Sequence, residues 1–225
     1  MSYLRRNNRQ AFLRTARRQL ALPRPTRNAL ELGHRARGVA ASGLRSHLPP
    51  EEWYEPSERS RSGYRVVVRP PGSGFVHVVT AQDVRDRLAE LPSRLLAPLQ
   101  IVQLGRMTAK KRSFPCYGLQ WGNAIYLYPL EDTLIEEYGR PPRPAEYHEA
   151  RLYGGRWVQN GPAWKLVWTE PAIRDFYLNN VLIHELGHVL DSRNSNPRDR
   201  ERFAEWFAIS YGYRPSRRAA KLVGR

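Results

Sequence analysis

A single cysteine, Cys116, stands in the 225 residues. An intrachain disulfide needs two, so a disulfide-stapled scaffold is excluded. Zinc sites built on several thiolates are excluded with it. A reducing setting, cytoplasmic or otherwise intracellular, is the expectation. Acidic residues are scarce, with 21 Asp and Glu against 37 Lys and Arg, a formal net charge of +16 and a pI of about 10.6. That excess favours acidic partners, nucleic acid among them, and carries no information about fold. Long apolar runs are missing too. No stretch reaches the roughly 18 residues that a membrane helix needs, so no membrane span is expected. The N-terminus also lacks the apolar core of a secretory signal. Hydrophobic residues nevertheless make up 41% of the chain, enough for a core.

The length suits one domain with an appendage. Up to His47 the only acidic residue is Glu31, against eleven arginines between Arg5 and Arg45. Residues 1–62 therefore read as a basic arm, partly helical or disordered. Two helical pieces are expected, around 9–22 and 28–44, split by "LPRPT". Such an arm suits a nucleic acid or another acidic partner, and it equally suits a solvated tail. It is also transit-peptide-like in being Arg-rich and acid-poor. Aromatics are sparse up to His47, only Tyr3 and Phe12, so no stacking platform for single strands is present there.

Residues 63–225 read as the folded domain. "YRVVVRPPGSGFVHVV" suggests two strands around a Pro-Gly-Ser-Gly turn, hence a hairpin. Thr80 is placed to cap a helix over 82–91, with Val84, Leu88 and Leu91 on one face. "LQIVQLGRM" is a further strand, and "AKKR" a solvated turn. "GNAIYLYPL" is a strong strand in which Ile125, Leu127 and Pro129 alternate with Tyr126 and Tyr128. Residues 140–147 have the composition of a loop, and "RLYGGRWVQNGPAWKLVW" that of a hairpin or a pair of loops. Helices complete the chain.

One of those helices carries chemistry. Pro171 can open it, because a missing N–H costs nothing in a first turn. It then runs through "AIRDFYLNNVLIHELGHVLD" at helical period. His184 and His188 are four residues apart and so share a face, one turn from each other. Two imidazoles at that spacing can hold one Zn²⁺ at about 2.0–2.1 Å each. Glu185 lies a residue round the cylinder. From there it can reach a metal-bound water without being a ligand, which is the position of a general base.

A catalytic zinc wants a third protein ligand and an open position. Asn196 and Pro197 read as an N-cap and a first-turn proline, with Asp199 completing the start of a second helix. Counting at about 1.5 Å per residue from the intervening turn puts Glu201 level with His188 and Glu205 level with His184. Two carboxylates compete for one place. Glu201 is assigned to the metal. Glu205 is assigned to accept from the ring N–H of His184, and Asp191 to do the same for His188.

"HELGHVLD" followed by "ERFAEWFA" resembles the zincin metallopeptidases of the glutamate-ligand type, the gluzincins. It is particularly similar to the catalytic domain of anthrax lethal factor and to related toxin or phage-associated proteases. The resemblance covers about 181–213. It implies Glu201 as third ligand, through the match of Glu201, Phe203, Ala204 and Glu205, and it implies one Zn²⁺ as cofactor. The lethal-factor group carries a tyrosine shortly before its ligand glutamate that helps hold the oxyanion, and "DSRNSNPRDR" has none. Tyr211, Tyr213, Tyr177 and His148 are the candidates to replace it. The resemblance further implies an edge strand beside the metal helix that pairs with extended substrate, with "NAIYLYPL" the candidate; an interior strand is the competing reading.

The expected fold is α+β and zincin-like. A twisted mixed sheet packs on the 82–91 helix and the metal helix, and a C-terminal helix returns to close the site. The expected function is zinc-dependent endopeptidase hydrolysis of a protein or peptide substrate, with Glu185 as general base. The alternative is a weakly active or inactive zincin domain that binds nucleic acid or a particle through its basic arm.

Overall fold

Four strands of mixed direction form the sheet on which the helix carrying His184 and His188 rests. In this computed structural model, residues 50–52, 54, 63–113 and 115–223 are described. The Arg-rich stretch and both of its expected helical pieces lie outside the described residues. The strands are β1 (Arg65–Val68), β2 (Phe75–Val76), β3 (Ile101–Leu104), β4 (Gly118–Trp121), β5 (Ala124–Leu127), β6 (Leu130–Glu131), β7 (Ile135–Tyr138), β8 (Arg156–Asn160) and β9 (Ala163–Val167). The main sheet has the order β1-β3-β5-β4. Its β1–β3 and β3–β5 pairings are parallel, and β4 runs antiparallel to β5. A second sheet is the pair β2-β6, and a third has the order β7-β9-β8. Mixed α+β architecture is thus as expected.

Helix α1 (Ala81–Ala89) starts as its sequence indicates. The Thr80 side chain accepts from the Asp83 amide, and the Asp83 carboxylate accepts from the Thr80 amide, a closed capping box. Its Val84 and Leu88 are fully buried. The helix connects β1 to β3, which makes a parallel crossover and not a hairpin. The hairpin expected from the Pro-Gly-Ser-Gly turn is therefore corrected. Both strands form, but β1 pairs with β3 and β2 pairs with β6. Helices α2 (Ser93–Leu96) and α3 (Ala109–Ser113) are short. The second replaces the solvated turn expected at "AKKR". Its Lys111 is buried, with Nζ 4.1 Å from the Tyr128 ring centroid and 3.3 Å from Cys116 Sγ.

Strand β5 is covered on both faces. Ile125 and Leu127 join the main core with Val102, Leu104, Leu182 and Leu186. Tyr126 and Tyr128 join a second cluster with Ile101, Leu119 and Ala124, against which Tyr54 packs. The assignment of "NAIYLYPL" as an exposed edge is corrected accordingly. β5 is hydrogen-bonded to β3 and β4 on its two sides, and among the described residues the edges of this sheet are β1 and β4. A strand with two covered faces reads as apolar throughout, which is how β5 reads.

Helix α4 (Pro144–Leu152) takes over from the expected loop at 144. The expected hairpin forms as β8 and β9 around Gly161. Helix α5 (Glu170–Phe176) is capped by Thr169, whose side chain accepts from the Ala172 amide. It passes through a π-helical segment, Tyr177–Val181, into α6 (Leu182–Leu190). After a turn, α7 (Pro197–Phe207) begins at Asn196, whose side chain accepts from the Asp199 amide at 2.9 Å. A second π-helical segment, Ala208–Tyr213, leads into α8 (Arg214–Val223).

The two π-helical segments touch backbone to backbone. A Cβ added at Gly212 would lie 1.9 Å from the carbonyl oxygen of Asn179, so only glycine permits the contact. Widened turns leave carbonyls to satisfy. Tyr153 donates its hydroxyl to Asn179 O at 3.1 Å, and Arg87 donates to Tyr211 O and to Asn179 Oδ1. The pairing fixes α6 and α7 to each other on the side away from their connecting turn. Among the described residues, no helix is long and apolar enough to cross a membrane.

Candidate metal centre

Helix α6 lies on the sheet with most of its length buried, and His184 and Glu185 are buried with it. Two close approaches set its position. On the sheet side, a Cβ at Gly118 of β4 would come within 2.8 Å of both Glu185 Oε1 and the Val181 side chain. On the other side, a Cβ at Gly187 would come within 2.9 Å of Ala204 Cα in α7. Two small residues thus let α7 ride close on α6. Glu201, nearly one turn before Ala204, is brought against the histidine pair.

Three donor atoms converge there. The Nε2 atoms of His184 and His188 are 3.1 Å apart. Glu201 Oε2 is 3.4 Å from His184 Nε2, and Glu201 Oε1 is 3.5 Å from His188 Nε2. Ligands about 2.0–2.1 Å from a tetrahedral ion stand about 3.3–3.4 Å from one another. The Nε2–Nε2 distance and the two Nε2–Oε distances, which run to different oxygens of Glu201, lie close to that value, so the residues fit a single small divalent cation. Both imidazoles turn Nε2 inward onto the same carboxylate, and His188 Nδ1 has no hydrogen-bond partner among the described residues. No fourth His, Cys, Asp or Glu joins this group among the described residues.

The electrostatics agree with the geometry. The side chains of His184, His188 and Glu201 are only 4%, 10% and 21% exposed, so charges there are weakly screened. Burial, with the His184 charge beside it, pushes His188 down to about 4, which keeps that imidazole neutral and its lone pair available. Burial would lower His184 as well. The Glu201 hydrogen bond and the Glu185 charge outweigh it and raise the ring above its ordinary value. Burial would raise Glu201, but the His184 hydrogen bond and the His184 charge hold it below the usual carboxylate range. Glu185 is pushed up to about 7, chiefly by burial. A carboxyl poised there can accept and return a proton near neutral pH.

Each residue picked out from the sequence has a definite place. His184, Glu185, His188 and Glu201 come together. Glu205 is exposed on α7 and makes no hydrogen bond or ion pair among the described residues, so it does not hold the His184 ring. Asp191 does not accept from His188. It caps α6 with a ψ of 88°, which swings its carboxylate onto the following turn. There it accepts from the Arg193 and Asn194 amides and from the Asn194 side chain. Tyr177 is buried and donates its hydroxyl to Tyr128 O at 2.7 Å. Tyr213 packs edge-on against the Tyr153 ring, and the Arg217 guanidinium lies over both rings. Tyr211 stacks on Phe207 at 4.5 Å, and His148 is exposed on α4 beside Tyr147.

Three contributors had no sequence signal of their own. Glu149 of α4 accepts from Asn180 Nδ2 at 2.7 Å, and its charge acts on His184. Burial raises its carboxyl above the usual range. Arg200, next to Glu201, reaches His188 O and Asp191 O at 3.4 Å and Gln120 Oε1 of β4 at 3.3 Å, tying the end of α6 to the edge strand. The Gln120 amide donates to Glu185, which sets that carboxylate at the strand edge. The short run "GLQW" has too little alternation to announce an edge strand. An Arg directly before Glu201 reads as an ordinary surface charge.

No protein-family model matches the chain, and no curated protein or solved structure is significantly similar to it. The site's own geometry therefore carries the functional reading.

Proposed function

We propose that the chain is a zinc-dependent endopeptidase of the glutamate-ligand zincin type. The observation that carries this reading is the convergence of His184 Nε2, His188 Nε2 and one Glu201 carboxylate at tetrahedral separations, with Glu185 alongside. Two imidazoles and one carboxylate are a donor set used by catalytic zinc, whereas structural zinc takes four protein ligands. Zinc held by His184, His188 and Glu201 would lower the pKa of a coordinated water toward about 7 and would polarise a peptide carbonyl.

The protein's own groups do the rest. Glu185 Oε accepts the proton of the attacking water and returns it to the leaving amine. Gly118 leaves the space in which that carboxylate sits. Among the described residues β4 is an edge of the main sheet, and an edge strand can pair with an extended peptide, which favours a polypeptide substrate over a small molecule. His184 and Glu185 are buried, so charges at the reacting centre are weakly screened.

The test couples two measurements on the purified chain. Elemental analysis should find one zinc per chain, and digestion of an unstructured protein such as casein should depend on that metal. A chain that binds no zinc, or whose proteolysis survives Glu185→Gln, would sink the reading.

A further inference from the structure

The acid-poor C-terminus forms a second feature, independent of the metal centre. Between Glu205 and the end of the chain there is no acidic residue, while Arg214, Arg217, Arg218 and Lys221 lie on α8. Their spacing is i, i+3, i+4 and i+7, so all four project from one face of the helix.

Arg217 is spent on anchoring. It donates to Leu152 O at 3.0 Å, pairs with Asp175 at 2.7 Å and packs over the Tyr153 and Tyr213 rings at 5.4 and 4.9 Å. The other three are not. Among the described residues, no carboxylate lies within ion-pair distance of Arg214, Arg218 or Lys221, and all three are exposed. One cation thus pins the helix to the domain, and beside it on the same face stand three cations without an ion-pair partner among the described residues. They border an open groove of about 580 Å³ lined by Tyr213, Arg214, Arg217, Arg218, Ala220 and Lys221.

We propose that this face of α8 binds the phosphodiester backbone of a nucleic-acid duplex. Arg214 and Lys221 are about 10 Å apart along the helix axis. That span covers about three phosphates of one strand, at about 3.4 Å of duplex axis each. Binding of this kind reads charge and not sequence. The composition of this face favours a duplex over the other polyanions. A membrane-surface helix needs a face of large apolar residues, and α8 offers Leu222 alone between Arg214 and Leu222. A single strand needs exposed aromatics to stack on, and Tyr213, the aromatic ring of this groove, is already packed against Tyr153 and Arg217.

The experiment uses the full chain and a fluorescently labelled 20-base-pair duplex, titrated by anisotropy between 50 and 200 mM salt. The variant R214A/R218A/K221A removes the three unpaired charges. R214K/R218K keeps the charge and controls for helix damage, as does far-UV circular dichroism of both. Loss of three phosphate contacts should make the slope of log K against log salt shallower by about 2.7. Affinity at 50 mM salt should fall about tenfold or more in the alanine variant and stay near wild type in the lysine variant. Equal slopes and affinities for wild type and the alanine variant would overturn the proposal. So would a variant that loses binding to phosphatidylserine vesicles but not to the duplex, which would assign the face to a membrane. Competition by polyglutamate as strong as by unlabelled duplex, at equal charge, would assign it to an acidic protein and overturn it too.

Discussion

Gly187 meets Ala204 across the α6–α7 interface so closely that a side chain at Gly187 would reach within 2.9 Å of the Ala204 backbone. The separation of the two helices, and with it the distance from Glu201 to the histidines, hangs on this contact. Gly187→Val is expected to force the helices apart at a cost of about 1–3 kcal/mol. Much of that cost should appear as weaker metal binding, about tenfold or more, because the third donor is carried away with α7. Zinc titration against a competing chelator, beside a thermal melt, measures both effects. Unchanged zinc affinity would show that the helix spacing does not govern the site.

Glu185 and Gly118 form a second dependent pair. Glu185→Gln keeps the shape of the side chain and removes its basicity. It should retain one zinc and lower kcat by about 10²–10⁴, the usual worth of a positioned acid–base group. Gly118→Ala tests the same carboxylate from the strand side, since the new Cβ would stand 2.8 Å from Glu185 Oε1. Zinc content should again hold while kcat falls. Loss of zinc in either variant would mean that Glu185 supports the fold of the site instead of a proton transfer.

What could be read from the sequence was what is local. Thr80 with Asp83 and Asn196 with Asp199 announce helix starts within three residues, and both caps form. The i, i+4 histidines and the level count to Glu201 rest on helix geometry alone, and they hold. What depended on distant partners was not legible. The turn between β1 and β2 suggested a hairpin, but β1 found its partner across a helix, 36 positions on, at β3. Alternation marked β5 as a strand without telling that β4 would cover its outer side. Helix counting gave Asp191 the right height and the wrong direction, because the backbone leaves the helix at that residue. Glu149 reaches the neighbourhood of His184 from α4, a contact that no spacing within either helix encodes.

Glu201 and Glu205 were equal candidates by level, and the structure separates them. Glu201→Gln should reduce zinc binding by several orders of magnitude, since a charged ligand is replaced by a weak neutral one. Glu205→Gln, at an exposed side chain, should leave zinc content unchanged and stability within about 0.5 kcal/mol. Glu149→Gln belongs between them, with zinc retained and affinity lowered about 10–100-fold, the usual effect of groups that support a ligand. Elemental analysis after dialysis against a mild chelator orders the three. Zinc loss in Glu205→Gln alone would exchange the roles of the two glutamates.

Away from the site, Glu146 and Arg140 predict how stability follows pH. The Glu146 side chain is 2% exposed and pairs with Arg140 at 2.7 Å, while the Arg143 amide donates to its other oxygen. Burial alone would raise its carboxyl. The hydrogen bonds from Arg140 and from the Arg143 amide, together with both guanidinium charges, outweigh that and hold it below the usual range. The folded state therefore favours the ionised form more than the unfolded chain does. Its contribution is fully present above the unfolded carboxyl value of about 4.3 and is lost as pH falls through the lower folded value. Glu146→Gln should cost about 1–3 kcal/mol at pH 7, with the discount that a partly exposed Arg140 imposes. The gap between wild type and variant in Tm should narrow as the pH is lowered from 5 toward 2. A gap that stays constant over that range would mean the carboxylate charge contributes nothing there, and that α4 is held at its N-terminus by packing alone.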